Sequence, residues 1–350
     1  MNSPEFWMLR CLELARLGAG NVSPNPMVGA ILVHNNQIIG EGWHQKIGSA
    51  HAEVNAINSV LKRELIPEAT LYVNLEPCAH IGKTPPCANL IIMHKIPKVV
   101  VGMLDPNPLV AGKGIALLRA AGIEVELDVL NEQCLNLNKR FIHFYTTNKP
   151  YVILKWAQTR NGFISPDAKK MSAEKFEEER HITGMLVQKL VHKWRTQEDA
   201  IMVATNTALT DNPALNNRAW EGRAPARIVL DQHLRLPITL KLFDQSQKTF
   251  IANGVKDEIN GNNVFLKLNF KEDWFKQLLD LLFKHNIQSI VVEGGATLLN
   301  HLIANNYWNE AIVFYSPKNI SDGIKAPTIS GKIIQQDNID VIQMTQYRNL

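Results

Sequence analysis

Glu76-Pro77-Cys78-Ala79-His80-Ile81-Gly82-Lys83-Thr84-Pro85-Pro86-Cys87 carries two cysteines, each directly preceded by a proline, with eight residues between them. Upstream stands His51-Ala52-Glu53. One histidine and two cysteines are three good zinc ligands, the number a catalytic zinc takes when its fourth position stays open. Water at that position has its pKa lowered until hydroxide is available near neutrality. Glu53, two residues from His51, is placed to move protons and need not bind the metal. The local pattern supports the ligand reading. His51 begins an expected helix, Cys87 falls in the first turn of another behind Thr84 as N-cap, and Pro77 is expected to open a short turn at Cys78. Helix N-termini carry partial positive charge and favour a thiolate over a thiol.

Outward from this stretch, strands and helices alternate. Periodicity predicts a helix over 7–17 and a hairpin of strands 27–33 and 37–43 about Asn35-Asn36. It then predicts a helix over 51–61, a strand at 70–75, a short helix over 86–94 and a strand at 98–104. A helix over 112–121, an extended run at 123–129 and a helix over 131–146 complete the series. Such alternation means an α/β layered domain, helices packed on a sheet. The polar break Thr146-Thr147-Asn148-Lys149-Pro150 ends it. A second α/β set follows: strands at 151–157, 199–204, 227–230, 249–252, 289–292 and 311–315, with helices at 186–194 and 273–285 and another after Glu293-Gly294-Gly295. The boundary yields domains 1–148 and 149–350, both of ordinary size.

The chain has 350 residues, a 45% apolar and 20% charged composition, and a net charge of only +4. That is a globular composition, and the small basic excess does not support a dedicated nucleic-acid binder. Four cysteines are too few for a disulfide scaffold of this length. Cys11 and Cys134 lie in amphipathic helices, where packing is the better reading. Residues 1–10 lack the basic stretch and apolar core of a signal peptide, and no apolar run reaches the roughly 18 residues of a membrane span. A soluble, cytoplasmic protein is expected.

A His-x-Glu followed by Pro-Cys and a second cysteine is the signature of zinc deaminases, which place two residues between the cysteines where this chain places eight. The longer loop makes the likeness more specific. Asn25-Pro26, His51-Ala52-Glu53, the stretch 76–87 with its Gly-Lys-Thr-Pro-Pro insertion, and Asp105-Pro106-Asn107-Pro108 resemble the deaminase half of the bifunctional riboflavin-biosynthesis deaminase/reductase family. The resemblance implies a cytidine-deaminase-like α/β/α domain. It implies hydrolytic removal of the 2-amino group from a diaminopyrimidinone ribosylamine 5′-phosphate, a small phosphorylated pyrimidine. His51, Cys78 and Cys87 would hold one zinc ion per chain, with Glu53 as proton shuttle. Asn25, His44, Lys83, Asp105 and Asn107 would contact substrate, Lys83 as a mobile point charge for phosphate.

The second half is similar to the reductase half of the same family. The likeness rests on Lys155-Trp156-Ala157-Gln158, Ile182-Thr183-Gly184, Trp194-Arg195, Asp199-Ala200-Ile201, Thr207, Asp211 to Leu215, Arg218 and Glu293-Gly294-Gly295. It implies a dihydrofolate-reductase-like α/β fold that uses NADPH. Ala157, Thr207, Asp211 and the turn at 295–301, including Gly295, Ala296 and Thr297, would contact the dinucleotide. Arg195, Leu215, Arg218 and Glu293 would contact the phosphorylated product of the first half, the arginines because a guanidinium can donate two parallel hydrogen bonds to a phosphate. Lys155 would position or protonate the sugar during hydride transfer. No G-x-G-x-x-G supports a Rossmann fold. Three departures from the family pattern stand at Asn161, where a carboxylate is usual, at His181 in place of tryptophan, and at Ala204 in place of glycine.

The resemblance further implies a homo-oligomer and no nucleic-acid or membrane partner. Other readings stay open at the level of sequence. The second half could bind substrate without reducing it. The first half could deaminate a nucleoside or a tRNA base. A structural zinc site would need a fourth ligand, for which His80 is the nearest candidate. The stretch from Gln336 to Leu350 is polar and carries no recognisable function.

Overall fold

A computed structural model describes residues 2–79, 85–107, 110–167 and 170–350. The chain divides into two compact units, Met1–Asn148 and Lys149–Leu350. Among the described residues no helix is long and apolar enough to cross a membrane.

Unit 1 contains α1 (Pro4–Arg16), β1 (Gly29–His34), β2 (Gln37–Trp43), α2 (Ala52–Ser59), β3 (Thr70–Val73), α3 (Cys87–Met93), β4 (Lys98–Val101), α4 (Lys113–Ala120), β5 (Glu124–Glu126), α5 (Asn131–Leu137) and α6 (Lys139–Thr147). Its five strands run in the order β2-β1-β3-β4-β5. The β1/β2 and β1/β3 pairs are antiparallel, whereas β3/β4 and β4/β5 are parallel. Successive side chains leave a strand on opposite faces, so Ala30 and Leu32 pack with Ala56, Ile91 and Leu118, while Ile31 joins Met8, Leu12 and Cys134 on the other side. Both faces are covered, which makes three layers. Cys11 and Cys134 are fully buried in the second layer.

The single helix expected over 131–146 is two helices, α5 and α6, broken at Asn138. That side chain is buried and bonded to the backbone of Met27, accepting from its N–H at 2.8 Å and donating to its C=O at 3.0 Å. A side chain spent on distant backbone sets a local conformation that periodicity cannot register.

Unit 2 contains β6 (Tyr151–Thr159), β7 (Phe163–Pro166), α7 (Ala173–Glu179), α8 (Met185–Gln197), β8 (Ala200–Ala204), α9 (Thr205–Asp211), β9 (Ala226–Leu230), β10 (Thr249–Asn253), β11 (Glu258–Asn260), β12 (Asn263–Lys267), α10 (Trp274–Lys284), β13 (Ser289–Gly294), α11 (Ala296–Ala304), β14 (Glu310–Ser316), β15 (Gly323–Lys325), β16 (Lys332–Ile339) and β17 (Ile342–Arg348). The main sheet runs β11-β12-β10-β9-β8-β13-β6-β14-β17-β16. From β12 to β14 every neighbour pair is parallel. Such strands are buried on both faces and carry continuous apolar runs, here residues 290–292 and 151–154, each followed by one charged residue, Glu293 and Lys155. Phe275, Leu278, Leu282, Leu298 and Leu302 cover one face, and Val187 and Val191 of α8 pack on Phe314.

The polar C-terminal stretch is a hairpin, β16 with β17, added antiparallel to β14. In β17, Ile342 and Met344 point toward α8, and Thr345 between the alternating positions is buried as well. The outermost strand, β16, has no buried residue. An edge strand with a wet face offers little apolar signal, and backbone pairing defines it.

Candidate functional site

The three metal ligands expected from sequence converge in unit 1. His51 is the N-cap of α2, and Cys87 opens α3 directly behind Pro86. Cys78 stands in an irregular segment after β3, not in a helical turn. His51 Nδ1 lies 3.3 Å from Cys87 Sγ and 3.6 Å from Cys78 Sγ. All the donor atoms fall within 4.8 Å of one another. Tetrahedral zinc bonds imply a nitrogen–sulfur separation of about 3.5 Å, so donor chemistry and spacing both fit zinc.

Helix geometry prepares the thiols. The Cys87 backbone N–H, free because it starts a helix, donates to Cys78 Sγ at 3.3 Å. With the Cys87 thiol and His51 beside it, Cys78 is pulled down to about 4. The same pairing, with burial, pushes the Cys87 thiol up.

Glu53 sits in the first turn of α2 with 3% of its surface exposed. Burial raises its pKa to about 7, aided by the charge on Cys78. A carboxyl poised there can hold or release a proton near neutrality.

A cavity of about 250 Å³ opens beside these groups, and Asn25, His44, His51, Glu53, Cys78, Asp105 and Asn107 all line it. Lys83, Thr84 and His80 lie outside the described residues. Of the other lining residues, Glu76 enters the sequence reading only as part of the quoted motif, and Phe141 and Tyr145 escape it. The last two are one turn apart on α6 with ring centroids 4.8 Å apart. Their spacing marks a shared face but cannot say that the face meets residues 25–107.

His44 is buried, and protein groups engage both ring nitrogens. Its Nδ1 lies 3.1 Å from the Ala50 carbonyl, which can only accept, so Nδ1 carries the proton. Burial lowers its pKa, which keeps the ring neutral and makes Nε2 an acceptor. The group 3.0 Å away is then the Asn25 amide N–H.

In unit 2 a cavity of about 640 Å³ is lined by Lys155, Ala157, Arg195, Asp211, Leu215 and Arg218. Arg180, His181, His192 and Lys241 add to its polar wall. Lys155, Arg180, Arg195, Arg218 and Lys241 face it against one carboxylate, Asp211, so the cavity favours anions. Lys155 lies on β6, between β13 and β14 in the middle of the sheet, and is not a strand-edge charge.

Glu293, near the end of β13, accepts two hydrogen bonds from Arg195, at 2.8 and 3.3 Å. Arg195 also donates to the Asn216 carbonyl at 2.9 Å. It is no helix-surface charge: 13% of its side chain is exposed. Burial works to raise the Glu293 pKa, yet Lys155 and Arg195 hold it at about 2. Lys155 moves down through burial, with Glu293 opposing.

A carboxylate depressed this far contributes stability that is present above its ordinary value of 4.5 and lost as pH falls toward 2. The contribution is at most about 3 kcal/mol. Thermal unfolding of Glu293→Gln should therefore lie below the parent at pH 7, with the gap narrowing by pH 3. An unchanged gap would remove Glu293 from the acid response.

The expected dinucleotide contacts divide. Ala157 and Asp211 line the cavity, whereas Thr207, Gly295, Ala296 and Thr297 are not among its lining residues. These four cluster at two helix starts brought together because β8 and β13 are parallel neighbours. A side chain added at Gly295 would begin 3.2 Å from Thr207 Oγ1. The turn does not extend to His301, which lies farther along α11 and stacks on Trp274 at 5.4 Å. Arg180 escapes the sequence reading; it pairs with Asp211 at 3.0 Å.

Of the three departures from the family pattern, Asn161 has a side-chain hydrogen-bonding role, and the other two contribute through backbone. Asn161 accepts from Thr159 Oγ1 and donates to the Ile320 carbonyl, both at 2.8 Å, and a carboxylate could not make the second bond. The His181 carbonyl accepts from Lys318 Nζ at 2.9 Å. Ala204 ends β8 and serves as N-cap of α9.

Comparison with known proteins covers both units. Residues 1–103 match the cytidine and deoxycytidylate deaminase zinc-binding region, and residues 150–348 match the RibD C-terminal domain. The riboflavin biosynthesis protein RibD of Actinobacillus pleuropneumoniae is 38% identical over 341 residues, 94% of this chain and 88% of that one. The Synechocystis RibD is 38% identical over 356 residues, covering 100% of this chain and 92% of its own. Among solved structures, a diaminohydroxyphosphoribosylaminopyrimidine deaminase/5-amino-6-(5-phosphoribosylamino)uracil reductase from Thermotoga maritima superposes with a TM-score of 0.86 at 32% identity, covering 99% of both chains. With a zinc-deaminase unit carrying a His-Cys-Cys centre and a reductase unit carrying a cationic cavity, the chain belongs to the RibD family of bifunctional deaminase/reductases of riboflavin biosynthesis.

Proposed function

We propose that unit 1 removes the 2-amino group of 2,5-diamino-6-ribosylamino-4(3H)-pyrimidinone 5′-phosphate and that unit 2 reduces the ribosyl group of the product with NADPH. The observation that carries the reading is the meeting of Glu53 with His51 and Cys78 at one cavity wall in unit 1, with Cys87 completing the donor set behind them. A zinc ion on those three ligands would supply a Lewis acid that makes hydroxide available near neutral pH.

The chain's own residues do the rest. Glu53 takes a proton from the attacking water and gives it to the ring nitrogen beside the carbon under attack. It then takes the proton of the newly added hydroxyl and passes it to the departing nitrogen, so water and an amine become a carbonyl and ammonia. Asn25 offers its amide oxygen to a donor on the pyrimidine, in the orientation His44 enforces. Asp105 and Asn107 hold the substrate from the facing segment, and Lys83 meets the phosphate.

In unit 2, NADPH would supply the hydride that reduces C1′. Thr207, Gly295, Ala296 and Thr297 present small side chains and helix-start N–H groups to the dinucleotide, with Ala157 and Asp211 beside it. Arg195, Arg218 and Leu215 seat the phosphorylated product, with Glu293 fixing the Arg195 fork. Lys155 donates a proton to the sugar oxygen as the ring opens.

One sample tests both halves. The purified chain with one zinc per chain should release ammonia from the diaminopyrimidinone phosphate and then oxidise NADPH. A chelator that strips the zinc should abolish ammonia release. It should leave NADPH oxidation intact when the deaminated product is supplied. Zinc loss that spares ammonia release would remove the metal from the mechanism. A folded protein that oxidises no NADPH at millimolar cofactor would leave unit 2 a binding domain.

A further inference from the structure

Glu76 is buried, 4% exposed, and stands two residues before Cys78. Its carboxylate accepts four backbone N–H bonds from a single stretch of chain. Oε2 takes Asp105 at 3.2 Å and Gly112 at 2.9 Å. Oε1 takes Gly114 at 2.9 Å and Ile115 at 3.4 Å. The chain thus leaves this carboxylate at Asp105 and returns to it at Gly112, with Asn107 between. The Glu76 backbone N–H adds a bond to the Met103 carbonyl at 2.9 Å.

Space around the contact is closed. A side chain at Gly114 would begin 2.0 Å from the Pro77 carbonyl, so only glycine lets α4 approach this closely. Three of the four donors, Gly112, Gly114 and Ile115, belong to the start of α4, where N–H groups lack intrahelical partners. A negative charge is the right complement there. Asp105 is a different matter. Its N–H is no part of the helix, and a carboxylate serving α4 alone would have no reason to hold it. Asp105 in turn accepts the Asn107 N–H at 2.8 Å, which passes the restraint along.

We propose that Glu76 is a positioning residue of the deaminase site, which sets Asp105 and Asn107 against the substrate from the same segment that delivers Cys78. Rigid placement of one wall relative to a metal ligand is what a single pinned carboxylate achieves, and sub-ångström placement governs substrate affinity. The inference rests on the proposed deamination and goes beyond it by assigning a residue that acts through Asp105 and Asn107 and is not one of the zinc ligands.

Glu76→Gln keeps the shape and two acceptor bonds but turns an NH₂ toward two N–H donors. Deaminase KM should rise tenfold or more, with kcat changing less than KM and zinc staying at one per chain. A role in stability alone would lower the melting temperature and leave KM in place. In an Asp105→Ala/Asn107→Ala background, Glu76→Gln should change KM less than twofold, because the groups it positions are gone.

Two outcomes overturn the proposal: a Glu76→Gln KM within twofold of the parent, or effects that simply multiply in the combined variant. If the Gln protein does not fold, Glu76→Asp replaces it, since the shorter carboxylate reaches only one pair of donors and the same KM comparison applies. Absence of ammonia release by the parent would instead strike at the deamination itself.

Discussion

Glu53→Gln should abolish all but a trace of ammonia release, by roughly 10²–10⁴-fold in kcat, at an unchanged zinc content. The side chain keeps its size and its place in the first turn of α2. What it loses is the ability to take and give a proton at a pKa near 7. The site should stay assembled, because Glu53 is not among the convergent donors His51, Cys78 and Cys87. Burial of the carboxyl also predicts that the neutral amide costs no stability. Measured ammonia release per bound zinc decides it. A glutamine variant that deaminates as fast as the parent would sink the proton-shuttle role, and one that loses zinc would recast Glu53 as a ligand.

Lys155→Met should depress NADPH oxidation by about 10²–10³-fold while ammonia release continues at the parental rate. Lys155 projects from a central strand into a cavity whose other cations, Arg180, Arg195, Arg218 and Lys241, are suited to an anion. It is the cation placed by burial rather than by a carboxylate fork, and burial lowers its pKa. An ammonium destabilised in this way is a better proton donor than a solvated lysine. Methionine fills similar volume, and Glu293 retains Arg195 as a partner. Folding should survive because Arg195 still donates two hydrogen bonds to Glu293, although that carboxylate loses its strongest charge partner and the melting temperature should fall. NADPH oxidation and NADPH binding are measured together. Oxidation within threefold of the parent would assign the proton to another group, and lost binding would make Lys155 a cofactor contact.

The two halves differed in how openly they declared themselves. His51, Cys78 and Cys87 were legible from chemistry alone, because few uses bring those residue types together behind prolines. Asn25, His44, Asp105 and Asn107 needed a family likeness, since an asparagine before proline reads as an ordinary turn. Glu76 stood in the family motif but its role gave no readable signal, and neither did Phe141, Tyr145 or Arg180. Each acts through a partner far along the chain, as Glu76 does with Gly114 and Arg180 with Asp211. The hairpin of β16 and β17 stayed hidden because an edge strand buries too little to pattern its sequence.

What the sequence by itself determined is the alternation of strands and helices, the place where the series breaks, and the identity of the groups able to hold zinc. Those are local properties, set by periodicity and side-chain chemistry within a turn or two. Only the tertiary structure decided which strands are central, and so that Lys155 is enclosed. It also decided that Asn25 takes its orientation from His44 and that one carboxylate grips a segment both where it leaves and where it returns. Such facts depend on the order of strands in a sheet and on the approach of helices to it. Periodicity names a buried face, but packing alone chooses what that face will meet.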